Sequence, residues 1–315
     1  MTPSATNVFE AERDRLERLA YRMLGTPDDA DDVVQEAWLR WQRATFEDID
    51  NPAAWLTTVT TRLAIDRLKS ARRRREVYVG PWLPEPLTIE SLGAATLRAA
   101  PAASSTDPAM LAIGSESLEL GLLRVLETLG PVERAVFLLH DVFGYPFEQI
   151  SPIIDKSVAT TRQIAKRARD RVRSGRPRVE AEPADVMAWS EAFLGAAVEG
   201  DLDGLMNMLT DDVVHISDGG AERHAARRPV VGADRVARLV VNLTARGLEA
   251  DDEVHWIRVN GQAGLYVVRN GEPNLLSVVS WRAGKVAELL VIVNPAKLAR
   301  LHERWLARVG FEAPG

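Results

Sequence analysis

The hydrophobic pattern changes period part-way along the chain, and this change constrains the fold most. Up to about residue 175, apolar residues recur three and four apart, as on helices. Beyond about residue 209 they come in short runs separated by Gly, Asn and Asp, as in strands. Helices followed by a run of antiparallel strands imply all-α domains and then an α+β domain, a curved sheet wrapped on helices. A chain of 315 residues has room for two or three domains.

In the helical part, Leu16, Leu19, Ala20, Met23 and Leu24 share one face, and the pattern stops at Gly25. Thr26-Pro27-Asp28-Asp29 reads as the next helix start, with Thr26 as N-cap and Pro27 in the first turn. Val33, Val34, Ala37, Trp38 and Trp41 are its apolar side. Asp28, Asp29, Asp31, Asp32, Gln35 and Glu36 make its start polar and strongly acidic. Complementing the helix dipole explains the first turn. It explains Asp32 and Glu36 less well, and a basic partner surface is the other reading. Asn51-Pro52 opens a third helix, which runs through Trp55, Arg62, Arg67 and Lys69 to Arg72, Arg73, Arg74 and Arg75. A basic last turn suits the dipole, but four successive arginines exceed what capping needs. Cations with an aromatic nearby are what single-stranded nucleic acid uses, for phosphates and for base stacking.

Residues 77–114 are rich in Pro and Ala and read as a linker, although Trp82 and Leu83 are too apolar for a free one. They are expected to dock on a neighbouring surface. From Ser115 the helical period returns, with stops at Gly130 and Gly144. A short helix from Pro146, a tight turn at Asp155-Lys156 and a helix from Ser157 to Arg173 then read as helix-turn-helix. Pro152 lacks a donor inside the short helix, and Asp155 can take the left-handed turn conformation. In the last helix Val158, Thr161, Ala165, Ala168 and Val172 form a narrow seam under a cationic surface. A solvated basic helix is the bland alternative; the turn before it favours duplex DNA. Ser157, as N-cap, starts this DNA-binding helix, and base edges are then within reach of Thr160, Thr161, Arg162, Gln163 and Lys166, with Arg to guanine and Gln to adenine as the expected pairings. Arg167, Arg169, Arg171 and Arg173 are placed as phosphate anchors.

Net charge is −6, so any nucleic-acid contact must come from such local patches. The chain has no cysteine, which excludes disulfides, thiol catalysis and zinc-thiolate sites. The N-terminus lacks the pattern of a signal peptide, and no apolar stretch approaches the length of a membrane span. The expected compartment is the cytoplasm, with no cofactor and no metal. In the tail, His215, Asp218, His224 and His255 are the only candidate acid-base groups. Each is more often a satisfied polar residue at a strand end, and no catalysis is expected.

Three segments, DDADDVVQEAWLRW, NPAAWLTTVTTRLAIDRLKSARRRR and ERAVFLLHDVFGYPFEQISPIIDKSVATTRQIAKRARDRV, resemble those of extracytoplasmic-function sigma factors of bacterial RNA polymerase. The tail resembles a SnoaL-like domain, the cone-shaped fold of ketosteroid isomerases. WLPEP at 82–86, DGG at 218–220 and NPAKL at 294–298 match segments that recur in sigma factors carrying that domain. The resemblance implies a sigma-2 domain over 1–76, a linker over 77–114 and a sigma-4 domain over 115–175. A short linker over 176–184 and a regulatory SnoaL-like domain over 185–315 follow. It implies that Asp28 to Trp38 grips the β′ clamp helices of core polymerase, with the β flap as a second contact. It further implies that Asn51 to Arg75 captures and melts the −10 element, and that the helix from Ser157 reads the −35 element. Stress response is an expectation of the same origin. Trp82, Leu83 and Pro84 of the linker, Asp218, Gly219 and Gly220, and Asn294 and Pro295 are then the residues of an intramolecular regulatory contact, which suits a monomer. The competing reading is a helix-turn-helix regulator whose tail senses a small ligand or, less plainly, acts as an enzyme.

Overall fold

The computed structural model describes residues 5–45, 49–75, 78–87, 120–175 and 183–309. They divide into two compact units: a helical one, described up to residue 75 and from 122 to 175, and one comprising 78–87, 120–121 and 183–309. The rest of the proline- and alanine-rich stretch, residues 88–114, lies outside the described residues.

In the helical unit, α1 (Ala5–Leu24), α2 (Pro27–Arg43) and α3 (Pro52–Arg75) pack the apolar stripes the sequence lays out. Leu16, Leu19, Met23, Val34, Trp41 and Leu56 are all buried. Gly25 ends α1 at φ +75°, where its amide donates to the Tyr21 carbonyl at 2.8 Å. Next come α4 (Leu120–Leu126), whose first two residues belong to the second unit, and α5 (Pro131–Phe137), which runs into one π-helical turn, Leu138–Val142. Then come α6 (Phe147–Ile153) and α7 (Val158–Gly175). Arg134 is buried in this unit. Its guanidinium donates to the carbonyls of Leu126 (2.9 Å) and Met23 (2.7 Å) and to Glu127 (2.8 Å), filling acceptors that helix ends leave open. Pro152 sits in the last turn of α6, and the Ser151 hydroxyl donates at 3.4 Å to the Glu148 carbonyl that the proline cannot serve. Asp155 takes φ +54°, the left-handed turn expected of it.

The second unit is α+β. Helices α8 (Pro183–Glu199) and α9 (Leu202–Met208) precede β1 (Leu209–Asp218) and a short β2 (Val230–Val231). Helix α10 (Ala233–Gly247) follows, then β3 (Asp252–Val259), β4 (Gln262–Arg269), β5 (Glu272–Arg282), β6 (Lys285–Ile292) and α11 (Pro295–Val309). The sheet order is β2-β1-β6-β5-β4-β3; every pairing is antiparallel except β1 with β6, which is parallel. Both faces are buried, because side chains alternate along each strand. One face packs Val213, Leu289 and Trp281 against Phe193, Leu205, Val236 and Val240 of α8 to α10. The other packs Ile216, Tyr266, Leu276 and Leu290 against Leu298 and Leu301 of α11 and against Leu83 and Leu120.

Candidate nucleic-acid interface and linker clasp

Helix α7 begins where its sequence says it should. The Ser157 hydroxyl accepts the Thr160 amide at 3.2 Å, an N-cap. Ile164, Ala165, Ala168 and Val172 are buried, while Gln163, Lys166 and Arg167 face solvent and Thr160 is half-buried. Thr161 corrects the expectation of a base-reading side chain. It is fully buried, and its hydroxyl donates to the Ser157 carbonyl at 2.9 Å. Arg169 corrects the expectation of a phosphate anchor. Its Nε donates at 2.6 Å to Asp141, a buried carboxylate of the π turn that burial pushes up against the pull of Arg169. Arg171 pairs with Glu133, and Arg162 pairs with Glu148 at 3.0 Å while lying 5.8 Å over the Phe147 ring. Arg173 is exposed. The outward cations thus differ: Arg169 is committed to a buried carboxylate, Arg162 and Arg171 are exposed and paired, and Lys166 and Arg167 face solvent.

Helix α3 divides in the same way. Asn51 caps it by accepting the Ala54 amide at 3.0 Å, and Trp55 lies half-buried with its ring 5.4 Å from Trp41. Arg62 donates to the carbonyls of Ile153 (3.0 Å) and Pro152 (2.8 Å), the last turn of α6. Arg67 donates to Asp29 (2.7 Å) and Asp32 (2.6 Å), so the basic helix and the acidic helix start neutralise one another in part. Lys69 pairs with Asp66 in solvent, and Arg72 to Arg75 form the last turns of α3. Of the acidic start, Asp28, Asp32 and Gln35 are exposed and Asp31 and Glu36 half-buried, with Glu36 accepting from Arg40 at 2.9 Å. Trp38 packs on Phe9 with ring centroids 4.8 Å apart.

Three arginines of the helical unit escape sequence reasoning, since a charge on an amphipathic helix reads as solvated. Arg134 is described above. Arg15 donates to the Tyr145 hydroxyl (2.6 Å) and to Thr57 (2.9 Å), joining α1 to α3 and to the segment before α6. Arg22 is buried 5.5 Å from the Phe143 ring, and burial pulls its guanidinium down to about 10.

The second unit holds the linker segment through one carboxylate. Asp218, fully buried at the end of β1, accepts from the Tyr78 hydroxyl (2.6 Å), the Leu83 amide (2.8 Å), the Gly220 amide (3.2 Å) and the Lys297 ammonium (2.7 Å). Lys297 also donates to the Leu83 carbonyl, and its ammonium lies 4.1 Å over the Trp82 ring. Asn294 donates to the Tyr78 hydroxyl at 2.7 Å while its own oxygen accepts the Ala296 amide, capping α11 next to Pro295. Burial and the neighbouring Asp218 push the Tyr78 hydroxyl well above the ordinary phenol range. Gly220 sits at φ +60° with Asn294 so close that a Cβ would fall 2.7 Å from its amide nitrogen. Gly219 is equally constrained, since its Cβ would meet the Arg223 carbonyl at 2.4 Å. Pro84 and Leu87 are buried; the Leu87 amide donates to the Asn260 side-chain oxygen at 2.9 Å, and the Asn260 amide donates to the Leu87 carbonyl at 2.7 Å. The sequence singles out Trp82, Leu83, Pro84, Asp218, Gly219, Gly220, Asn294 and Pro295, and the fold brings them together. Tyr78, Lys297 and Asn260 were missed. Lys297 stands inside NPAKL, but a lone lysine on a helix carries no sign of burial.

The acid-base candidates are not brought together. His215 and Asp218 are three residues apart on β1 and point to opposite faces, and Asp218 is committed to the linker. His215 is 1% exposed, and burial pulls its imidazole down to about 4, so it stays neutral. His255 packs against Trp305 at 4.7 Å, and His224 is exposed on a loop.

Residues 8–74 match Sigma-70 region 2 and residues 120–172 match Sigma-70, region 4. The chain is 37% identical over 304 residues, 92% of its length and 91% of the relative's, to the ECF RNA polymerase sigma factor SigJ of Mycobacterium tuberculosis. It is 35% identical over 301 residues, 92% of its length and 93% of the relative's, to the probable ECF RNA polymerase sigma factor SigI of the same organism. The crystal structure of Mycobacterium tuberculosis SigJ superposes with a TM-score of 0.69 at 35% identity, over 92% of this chain and 97% of that one. A relative so similar over nearly its whole length, with both sigma regions in order on one chain, makes this protein a member of the extracytoplasmic-function sigma factors.

Proposed function

We propose that the chain binds core polymerase through the acidic start of α2, engages −10 DNA along α3 and reads −35 DNA with α7. The observation that carries this is the outward face of α7. Thr160, Gln163, Lys166 and Arg167 are presented together while the opposite seam is packed, which is how a recognition helix meets the major groove. Gln163 suits adenine and Lys166 suits guanine, whereas Arg167 suits a phosphate. A repressor of the same fold would need no core polymerase. Co-purification with core, followed by transcription from promoters carrying single −35 changes, therefore tests the proposal. Gln163→Ala should relax selection at one position, and a chain that neither binds core nor confers promoter choice would refute it.

The second unit regulates rather than catalyses in this reading. The connection between regions 2 and 4 is held near both ends, by Asp218 at residues 78–83 and by the Gln262 side chain, which accepts the Leu120 amide at 3.2 Å. The span between the two DNA-reading regions is thereby tied to the state of the tail. The buried, neutral His215, facing away from Asp218, supports no acid-base pair. Asp218→Asn should change promoter output while core binding persists; equal transcription from both proteins would refute the regulatory role.

A further inference from the structure

The loop between β1 and β2 carries a cationic cluster that neither the clasp nor the sigma regions use. Arg223, His224, Arg227 and Arg228 are exposed within six residues, with Glu222 the single acid beside them. Among the described residues, none of these three arginines has a carboxylate partner; Arg223 reaches only the Asn274 amide oxygen, at 3.5 Å.

The loop is also held in shape. The Asp218-Gly219-Gly220 turn fixes its start, with the Arg223 amide donating to the Gly219 carbonyl at 3.1 Å. The Ala226 amide donates to the Ser217 hydroxyl at 2.9 Å, and the Arg227 Cα lies 3.7 Å from where a Gly80 Cβ would stand. Between the loop and Val79 to Pro81 lies an open pocket, with Arg223, His224 and Arg227 on its wall and Arg228 beyond it. A loop backbone held in this way presents its cations to an anion without an ordering cost of its own.

We propose that this loop is a phosphate-contacting surface for promoter DNA, by which the tail adds sequence-independent affinity to the complex. The inference rests on the sigma-factor reading above. A row of arginines extending past the pocket fits successive phosphodiesters better than one small anion. Arginine-to-phosphate contacts position a protein without reading sequence.

The test measures promoter binding by core polymerase carrying the full-length chain across a salt series. In Arg227→Gln/Arg228→Gln the log–log salt slope should flatten by about two, near one unit per lost phosphate contact. The preference for the native over a −35-mutated promoter should not change. Arg227→Lys/Arg228→Lys should keep the slope. Arg228→Gln alone, outside the pocket, should flatten it by about one and covers the case in which the double variant misfolds. Slopes equal to wild type in both Gln variants overturn the proposal. So does a loss of the difference when inorganic phosphate is added at matched ionic strength, which would assign the loop to a free anion. If the wild-type chain confers no promoter choice on core, the sigma-factor reading fails by itself. The same slopes, taken with the full-length chain on a nonspecific duplex at low salt, then decide the loop alone.

Discussion

Two carboxylate–cation pairs, one in each unit, look alike on paper and differ in what they do. Asp218 with Lys297 is sealed in the α+β unit, the carboxylate fully buried and the ammonium side chain 9% exposed. Arg162 of α7 with Glu148 of α6 lies in solvent, both side chains about 60% exposed. A buried pair is committed: removing one partner leaves the other charged and without water. A solvated pair exchanges its partner for water, or for a phosphate, at little cost. The fold thus puts its fixed pair where residues 78–83 are held and its exchangeable pair on the open surface of α7, the helix proposed above to meet DNA. Arg169 with Asp141 lies between these limits, with a half-exposed cation on a buried acid.

Asp218→Ala should show the largest effect. It strands Lys297 and frees Tyr78 and Leu83, so the α+β unit should lose about 3–5 kcal/mol in chemical denaturation. A loss below about 1 kcal/mol would mean that water reaches the clasp. Arg169→Ala should cost the helical unit about 1–3 kcal/mol, because Asp141 is left buried without its donor. If the loss is instead mainly in DNA affinity, Arg169 is a phosphate anchor after all.

His215 gives the next effect, through pH. Its folded pKa near 4 lies below the ordinary 6.5, so the folded state disfavours the proton. The unfolded chain therefore binds more protons between those values, and stability falls as pH drops from about 6.5 towards 4. Between pH 7 and 5 the wild type should lose about 2 kcal/mol more than His215→Gln, read from unfolding curves of the two proteins. Parallel curves would place the imidazole in water. The smallest change is expected for Arg162→Ala, within about 0.5 kcal/mol in stability. Any sizeable loss there would erase the contrast between the two pairs.

Much of the helical architecture is legible in the sequence because it is written locally. Gly25, Ser157 and Asp155 each mark a boundary through their own backbone or side-chain chemistry, and the structure uses all three as such. The strands of the tail are legible for a similar reason, since short apolar runs between turn residues allow little else. The short β2 and the parallel pairing of β1 with β6 are not, because both depend on which distant strand arrives alongside. The candidate site was legible only as types of residue. Six arginines and lysines on α7 look equivalent in sequence, yet Arg169 finds Asp141 and Lys166 finds solvent, according to which helix lies beneath each one.

The sequence by itself therefore determined several helix boundaries, which face of the helices is apolar, the absence of cysteine chemistry, and the order of two sigma regions before an α+β tail. The first three follow from spacing and composition, and the sigma regions from the likeness of whole segments to a family; none needs a tertiary partner. Only the tertiary structure decided that Asp218 turns away from His215, that Lys297 is buried over Trp82, and that Arg62 spends its donors on the carbonyls of Pro152 and Ile153. The physical reason is the same each time: whether a charge is solvated or committed depends on groups far away in the chain, and only packing brings those within hydrogen-bond reach.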